Sequence, residues 1–132
     1  MRFLKGLTLC LTCLMPCASM AACWTVTGVK GSSYSEREAY KRIDDGFSGK
    51  FTLVIDSENA AVLYDGIDAG GMIYHAMGPN VIVGLTTEPG KHAMETWVIQ
   101  QDGTVLMSKT ISGFDYMDST KSMVGKVVGS CG

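Results

Sequence analysis

Two cysteines, Cys23 and Cys131, bracket almost everything that follows the first 22 residues. If they pair, the start and finish of the folded chain must lie within about 7 Å of each other at their Cα atoms. Closed barrels meet that demand, because closure sets the first and last strands side by side. A bond closing a loop of about a hundred residues stabilises by up to ~4–5 kcal/mol in the chain-entropy picture. The alternative is two free or separately used thiols. Neither cysteine has the C-x-x-C spacing of a redox or zinc site, so catalytic or metal use is not expected.

The other three cysteines, Cys10, Cys13 and Cys17, lie in a segment that reads as an export signal. Arg2 and Lys5 form its basic start, Gly6 to Met15 its apolar run, and Ala18-Ser19-Met20-Ala21-Ala22 its small-residue end. That is the three-part plan of a secretory signal. The apolar run is far short of the roughly 20 residues that span a bilayer. Ser19 and Ala21 set up cleavage after Ala21; Met20 and Ala22 set up a poorer site after Ala22. Residues 1–22 are expected to be removed and 23–132 to form a single β domain in the periplasm or outside the cell. A lipoprotein, with Cys23 acylated after Met20-Ala21-Ala22, is the competing reading. Two cysteines left in an oxidising compartment favour one disulfide.

Losing Arg2 and Lys5 takes the formal charge from −2 to −4. A mildly acidic chain without a basic cluster has no footprint for nucleic acid. About 110 residues remain, enough for one core and not two.

The 16 glycines are spread at strand-and-turn intervals, and the apolar pattern has a period of two. Cys23 to Val29 alternates, with Trp24 and Val26 on one face. Phe51, Leu53 and Ile55 alternate with Thr52, Val54 and Asp56. Further strands are expected at 61–64, 72–77, 81–85, 94–100, 104–111 and 122–128. Asp102-Gly103 predicts a tight type I′ hairpin. One helix of about ten residues is expected after the first strand. Ser35 and Glu38 make a capping-box pair, and Tyr40, Ile43 and Phe47 recur at helical spacing. The sum is an all-β, antiparallel meander of about eight strands closing into a small barrel, with a two-layer sandwich as runner-up.

Little in the chain spells out chemistry. His-Ala-Met occurs at 75–77 and at 92–94, with Met72 nearby, a ligand set suited to copper. The meander puts His75 at the end of one strand and His92 at the start of another running the same way, so no joint metal site is expected. Glu88 and His92 flank one turn as an acid/base pair, which in an exposed loop is usually solvated. There is no Gly-x-Ser-x-Gly elbow, dinucleotide pattern or phosphate loop, so no cofactor is implied. Trp24 and Trp97 are expected in the core or at a barrel end.

The loop from Ser112 to Asp118 is the most distinctive surface. It carries Phe114, Tyr116 and Met117 among the acids Asp115 and Asp118, in a segment expected to be exposed. Aromatics presented on a rigid β scaffold anchor protein interfaces. The Ser112-Gly113-x-x-Tyr116 spelling resembles the inhibitory loop of periplasmic lysozyme inhibitors, which are small disulfide-linked β-barrels. The resemblance covers these few residues and the general architecture; the family's cysteine spacing and other motifs are not found here. The expected function is therefore an exported barrel that binds without catalysis. Ser112, Phe114, Asp115, Tyr116 and Met117 contact another protein, or a small amphiphile enters one end of the barrel. A small enzyme using Glu88, His92 and His75, and an envelope lipoprotein anchored at Cys23, are the alternatives.

Overall fold

The computed structural model describes residues 21–69, 71–86 and 88–131. The expected export signal lies outside these residues, apart from its last two positions. Ten strands run in chain order: β1 (Ala22–Ser35), β2 (Ile43–Gly46), β3 (Phe51–Asp56), β4 (Asn59–Tyr64), β5 (Ile67–Asp68), β6 (Ile73–Gly78), β7 (Val81–Leu85), β8 (His92–Ile99), β9 (Thr104–Ser112) and β10 (Ser119–Ser130).

Eight of them close into an antiparallel barrel in the order β1-β3-β4-β6-β7-β8-β9-β10, and β10 returns to β1. β1 does the closing. Its first half, Ala22–Val26, pairs with β3, while its second half, Lys30–Ser33, pairs with β2. Its opposite edge pairs with β10 from Trp24↔Ser130 to Ser35↔Ser119. Register shifts between Thr25 and Lys30 bend the strand, as bulges do, so that it can turn the corner of a small barrel. The thinnest seam is β4–β6, with the single pair Asn59↔His75, because β4 gives its last two residues to β5.

Cys23 and Cys131 are disulfide-bonded, with Cα atoms 5.2 Å apart. The bond lies at the end of the barrel that also holds the β3–β4 and β6–β7 turns. The opposite end is the mouth, where β9 leaves and β10 enters. Inward positions of alternating strands fill the interior: Val26, Leu53, Val62, Ile82, Trp97 and Val105 are all fully buried. Trp97 packs tilted against Phe51 with ring centroids 4.8 Å apart, and Phe51 in turn meets Phe47 and Tyr64. Trp24 is half-buried against the same core.

Two local expectations are corrected. The segment after β1 is not a helix. Ser35 makes no side-chain cap, a single 3₁₀ turn spans Glu36–Glu38, and Ala39 and Tyr40 follow at φ 52° and 56°. Residues Ile43–Gly46 instead form β2. A helix of about ten residues is marginal alone, and extending β1 to Ser35 gains a ladder on both of its edges. The Asp102-Gly103 hairpin is also not type I′. Only Gly103 has positive φ, at 85°, and the turn is a four-residue loop closed by Gln100 N–H to Thr104 O at 2.8 Å. The Asp102 carboxylate accepts from Thr104 N–H at 2.8 Å, which holds its pKa below the usual carboxylate range.

Candidate functional site

The 112–118 loop is braced by its own last residue. The Asp118 carboxylate accepts from Phe114 N–H at 2.7 Å and from Gly113 N–H at 3.2 Å. A 3₁₀ turn over Asp115–Met117 follows, with Asp115 at φ 56°. Asp118 O accepts from Glu36 N–H at 2.9 Å, which ties the loop to the 36–38 turn. Gly113 has φ 86°, and a Cβ there would collide with the backbone of Gly90, so the loop can lie this close only with glycine.

The five residues picked from the sequence do not all face the same way. Ser112 and Asp115 are exposed. Tyr116 and Met117 keep 60% and 53% of their surface, and the Arg37 guanidinium lies 5.8 Å from the Tyr116 ring centroid. Phe114 is half-buried, with Lys91 Nζ 5.6 Å from its ring centroid. Phe114 and Met117 line a cavity of about 270 Å³ with Met72, Ala93, Ile111 and Lys109.

Lys109 also lines a second cavity of about 340 Å³, whose walls include Phe47, Phe51, Tyr64, Ile67 and Glu95. The cluster behind it is the feature that sequence reasoning missed. Glu95 is buried, with 3% of its surface exposed, and occupies an inward position of β8 between Ala93 and Trp97. Three donors meet its carboxylate: Trp97 Nε1–H at 2.6 Å and Tyr74 O–H at 3.1 Å, both on Oε1, and Lys109 Nζ at 3.2 Å on Oε2. Burial, and then the adjacent Glu95, push the Tyr74 phenol far above its ordinary pKa. Tyr74 faces Gly84 across β6 and β7. A Cβ at Gly84 would come within 2.5 Å of the Tyr74 ring, so glycine makes room for the ring that reaches Glu95.

The polar row continues around the mouth. Glu95 pairs across strands with Lys109, Lys109 with Lys121, and Lys121 with the buried Ser33. Lys121 Nζ lies 3.3 Å from Asp45 Oδ2 and 5.4 Å from the Phe47 ring centroid. Burial disfavours the Asp45 carboxylate, but Lys121, the Gly46 amide and the Ser33 hydroxyl outweigh it and lower its pKa. The signal was present in the alternation: Glu95, Lys109 and Lys121 stand in phase with Trp97, Met107 and Met123, where only apolar residues are otherwise expected.

The remaining candidates do not converge. His75 sits within β6 rather than at its end, paired with Val83, and His92 starts β8 opposite Ser112; both are exposed. Glu88 pairs with Lys91 at 3.4 Å, not with His92. Among the described residues, no three His, Cys, Asp or Glu side chains are grouped to hold a metal. A larger hollow of about 650 Å³ lies beside β1 and β2, but none of its lining residues is buried, and Arg42 and Asp44 within it pair with each other at 3.3 Å. No protein-family model, curated protein or solved structure matches the chain.

Proposed function

We propose that the chain is an exported binding protein without catalytic activity, and that it grips another protein with the rim formed by the 112–118 loop and the neighbouring 36–40 turn. The observation that carries this reading is the exposure of Tyr116 and Met117 on a loop braced by Asp118. Tyr40, 58% exposed, and Arg37 extend the same rim. Tyr, Met and Arg are the residue types enriched where proteins meet. A braced loop has less entropy to lose on binding. The likeness of Ser112-Gly113-x-x-Tyr116 to the lysozyme inhibitors' loop makes a lysozyme the first partner to try.

Export is supported by the three-part N-terminus and by the disulfide, a bond of oxidising compartments. A sulfur bonded to Cys131 cannot also carry a lipid thioether, which favours a free periplasmic or secreted protein over an anchored one. Ala22, in β1, pairs with Ile55 of β3, which favours cleavage after Ala21.

The test is capture of partners from periplasmic extract, run beside inhibition of a purified lysozyme, with the parent chain and with Tyr116→Ala and Met117→Ala. At least one variant is expected to weaken the interaction about tenfold or more, as loss of a central aromatic anchor does. Retention of every partner and of any inhibition by both variants would end the rim reading.

A further inference from the structure

We infer that the mouth of the barrel is a binding site for a small anionic amphiphile, a carboxylate on a medium-length alkyl chain, with Lys109 taking the head group. This goes beyond the rim reading: Phe114 and Met117 of the rim line the smaller cavity, but Lys109, Glu95 and the aromatic walls of the larger one lie outside the rim.

Lys109 is only partly committed to Glu95. An ammonium has three N–H donors. One meets Glu95, which is the only ion pair Lys109 makes among the described residues. Tyr74 and Trp97 donate to the other carboxylate oxygen, so a single Lys109 donor completes the acid's partners. The Lys109 side chain keeps 26% of its surface and lines both cavities, so its remaining donors lie at their shared wall. Lys109 is the one cation among the described residues lining either cavity, beside Asp68 and Glu95 in the larger and Glu88 in the smaller, and its donors beyond Glu95 are what an anionic head group can meet.

Charges placed at the mouth carry a cost. Lys109 and Lys121 face each other directly across β9 and β10, and like charges so placed destabilise a sheet. A buried ion pair such as Glu95–Lys109 is commonly no more stabilising than apolar residues of the same volume. The rest of the interior shows that this barrel can be filled with apolar side chains. A row of charges at the mouth is therefore not explained by packing.

The walls suit an alkyl chain. Phe47, Phe51 and Tyr64 form a continuous aromatic cluster along the larger cavity, with Ile67, 73% exposed, at its edge. At about 340 Å³ that cavity is at the small end of ligand sites, which suits one alkyl chain and excludes a bulky lipid. Largely apolar walls with a few placed polar groups, here Lys109, Glu95 and Asp68, are the usual composition of a small-ligand site.

The test titrates the oxidised protein, labelled with ¹⁵N, with decanoate, decanol and decyltrimethylammonium below their micelle concentrations. The Trp97 indole N–H, which donates to Glu95, is the reporter. Decanoate is expected to shift it saturably, with decanol and the cation binding at least about tenfold more weakly, as for loss of one charge-assisted hydrogen bond. The double variant Glu95→Gln/Lys109→Met removes both charges without stranding either, and is expected to lose the preference for decanoate; Lys126→Met, on the outer face, is expected to keep it. Equal binding of the three amphiphiles, no saturable shift with decanoate, or an unchanged preference in the double variant would each overturn the site. The comparison of ligands uses the unaltered chain, so it stands even if the double variant does not fold.

Discussion

Glu95 is held where a carboxylate is expensive, and the two ways of breaking its cluster should differ. Lys109→Met leaves the buried acid with neutral donors only, and is expected to cost about 3–5 kcal/mol. Glu95→Gln leaves Lys109 able to swing its tip into the mouth, since its side chain is only partly buried. It is expected to cost about 1–3 kcal/mol, and the double variant less than the two added. Urea denaturation with the disulfide intact measures all three, and strict additivity would show that the pair is not coupled. Tyr74 gives the same cluster a pH signature. Its phenol pKa is raised in the folded state, first by burial and then by Glu95, while the unfolded phenol titrates near ~10. The native state then holds the extra proton, so this stability is complete below about pH 10 and is lost as pH climbs further. Asp45 acts at the other limit. Its pKa is lowered, so its contribution is present above the unfolded value of ~3.9 and lost as pH falls through the native one. Asp45→Asn should flatten the acid limb of a stability–pH curve; an unaltered limb would place the acid sensitivity elsewhere.

At the scale of elements, the strands were legible and the connection after β1 was not. Phe51-Leu53-Ile55 and Ala93-Trp97-Ile99 alternate in sequence and point inward in the fold. The Ser35–Glu38 pair and the Tyr40, Ile43, Phe47 spacing also looked regular, yet Tyr40 ends exposed and Phe47 packs on Phe51 and Tyr64 from a loop. A short helix competes with pairing along both edges of β1, and that pairing depends on residues far away in β10, which local spacing does not reveal. The Ser112–Asp118 loop was legible as a segment for the same reason as the strands, being flanked by alternation. The inward charges were hidden because Glu95, Lys109 and Lys121 look like ordinary outward residues until their parity is compared with Trp97, Met107 and Met123. One substitution discriminates helix from turn at the misread site. Ala39 has φ 52°, a conformation that favours glycine. Ala39→Gly should therefore be neutral or stabilising by up to about 1 kcal/mol, whereas the same change within a helix costs about 1 kcal/mol. Thermal denaturation reads the sign.

At the scale of the molecule, the ends of the barrel differ. One is tied by Cys23–Cys131 and the turn at Asn80, whose carbonyl accepts from Ile99 N–H at 2.9 Å. The other carries the cavities, the charged row and the exposed rim. The disulfide closes β1 onto β10 across nearly the whole fold, and replacing both cysteines by serine is expected to lower stability by about 4 kcal/mol. Loss of less than about 1 kcal/mol on urea denaturation would mean that the unfolded chain is not restrained by the bond. That closure and the inward row beside it define the barrel and its mouth. A nuclear Overhauser map of the labelled protein tests both at once. It should show Lys30 against Val124, Ser33 against Lys121, and Lys109 flanked by Glu95 and Lys121. A map in which β1 and β10 share no contacts, or in which Glu95 and Lys109 face solvent, would contradict it.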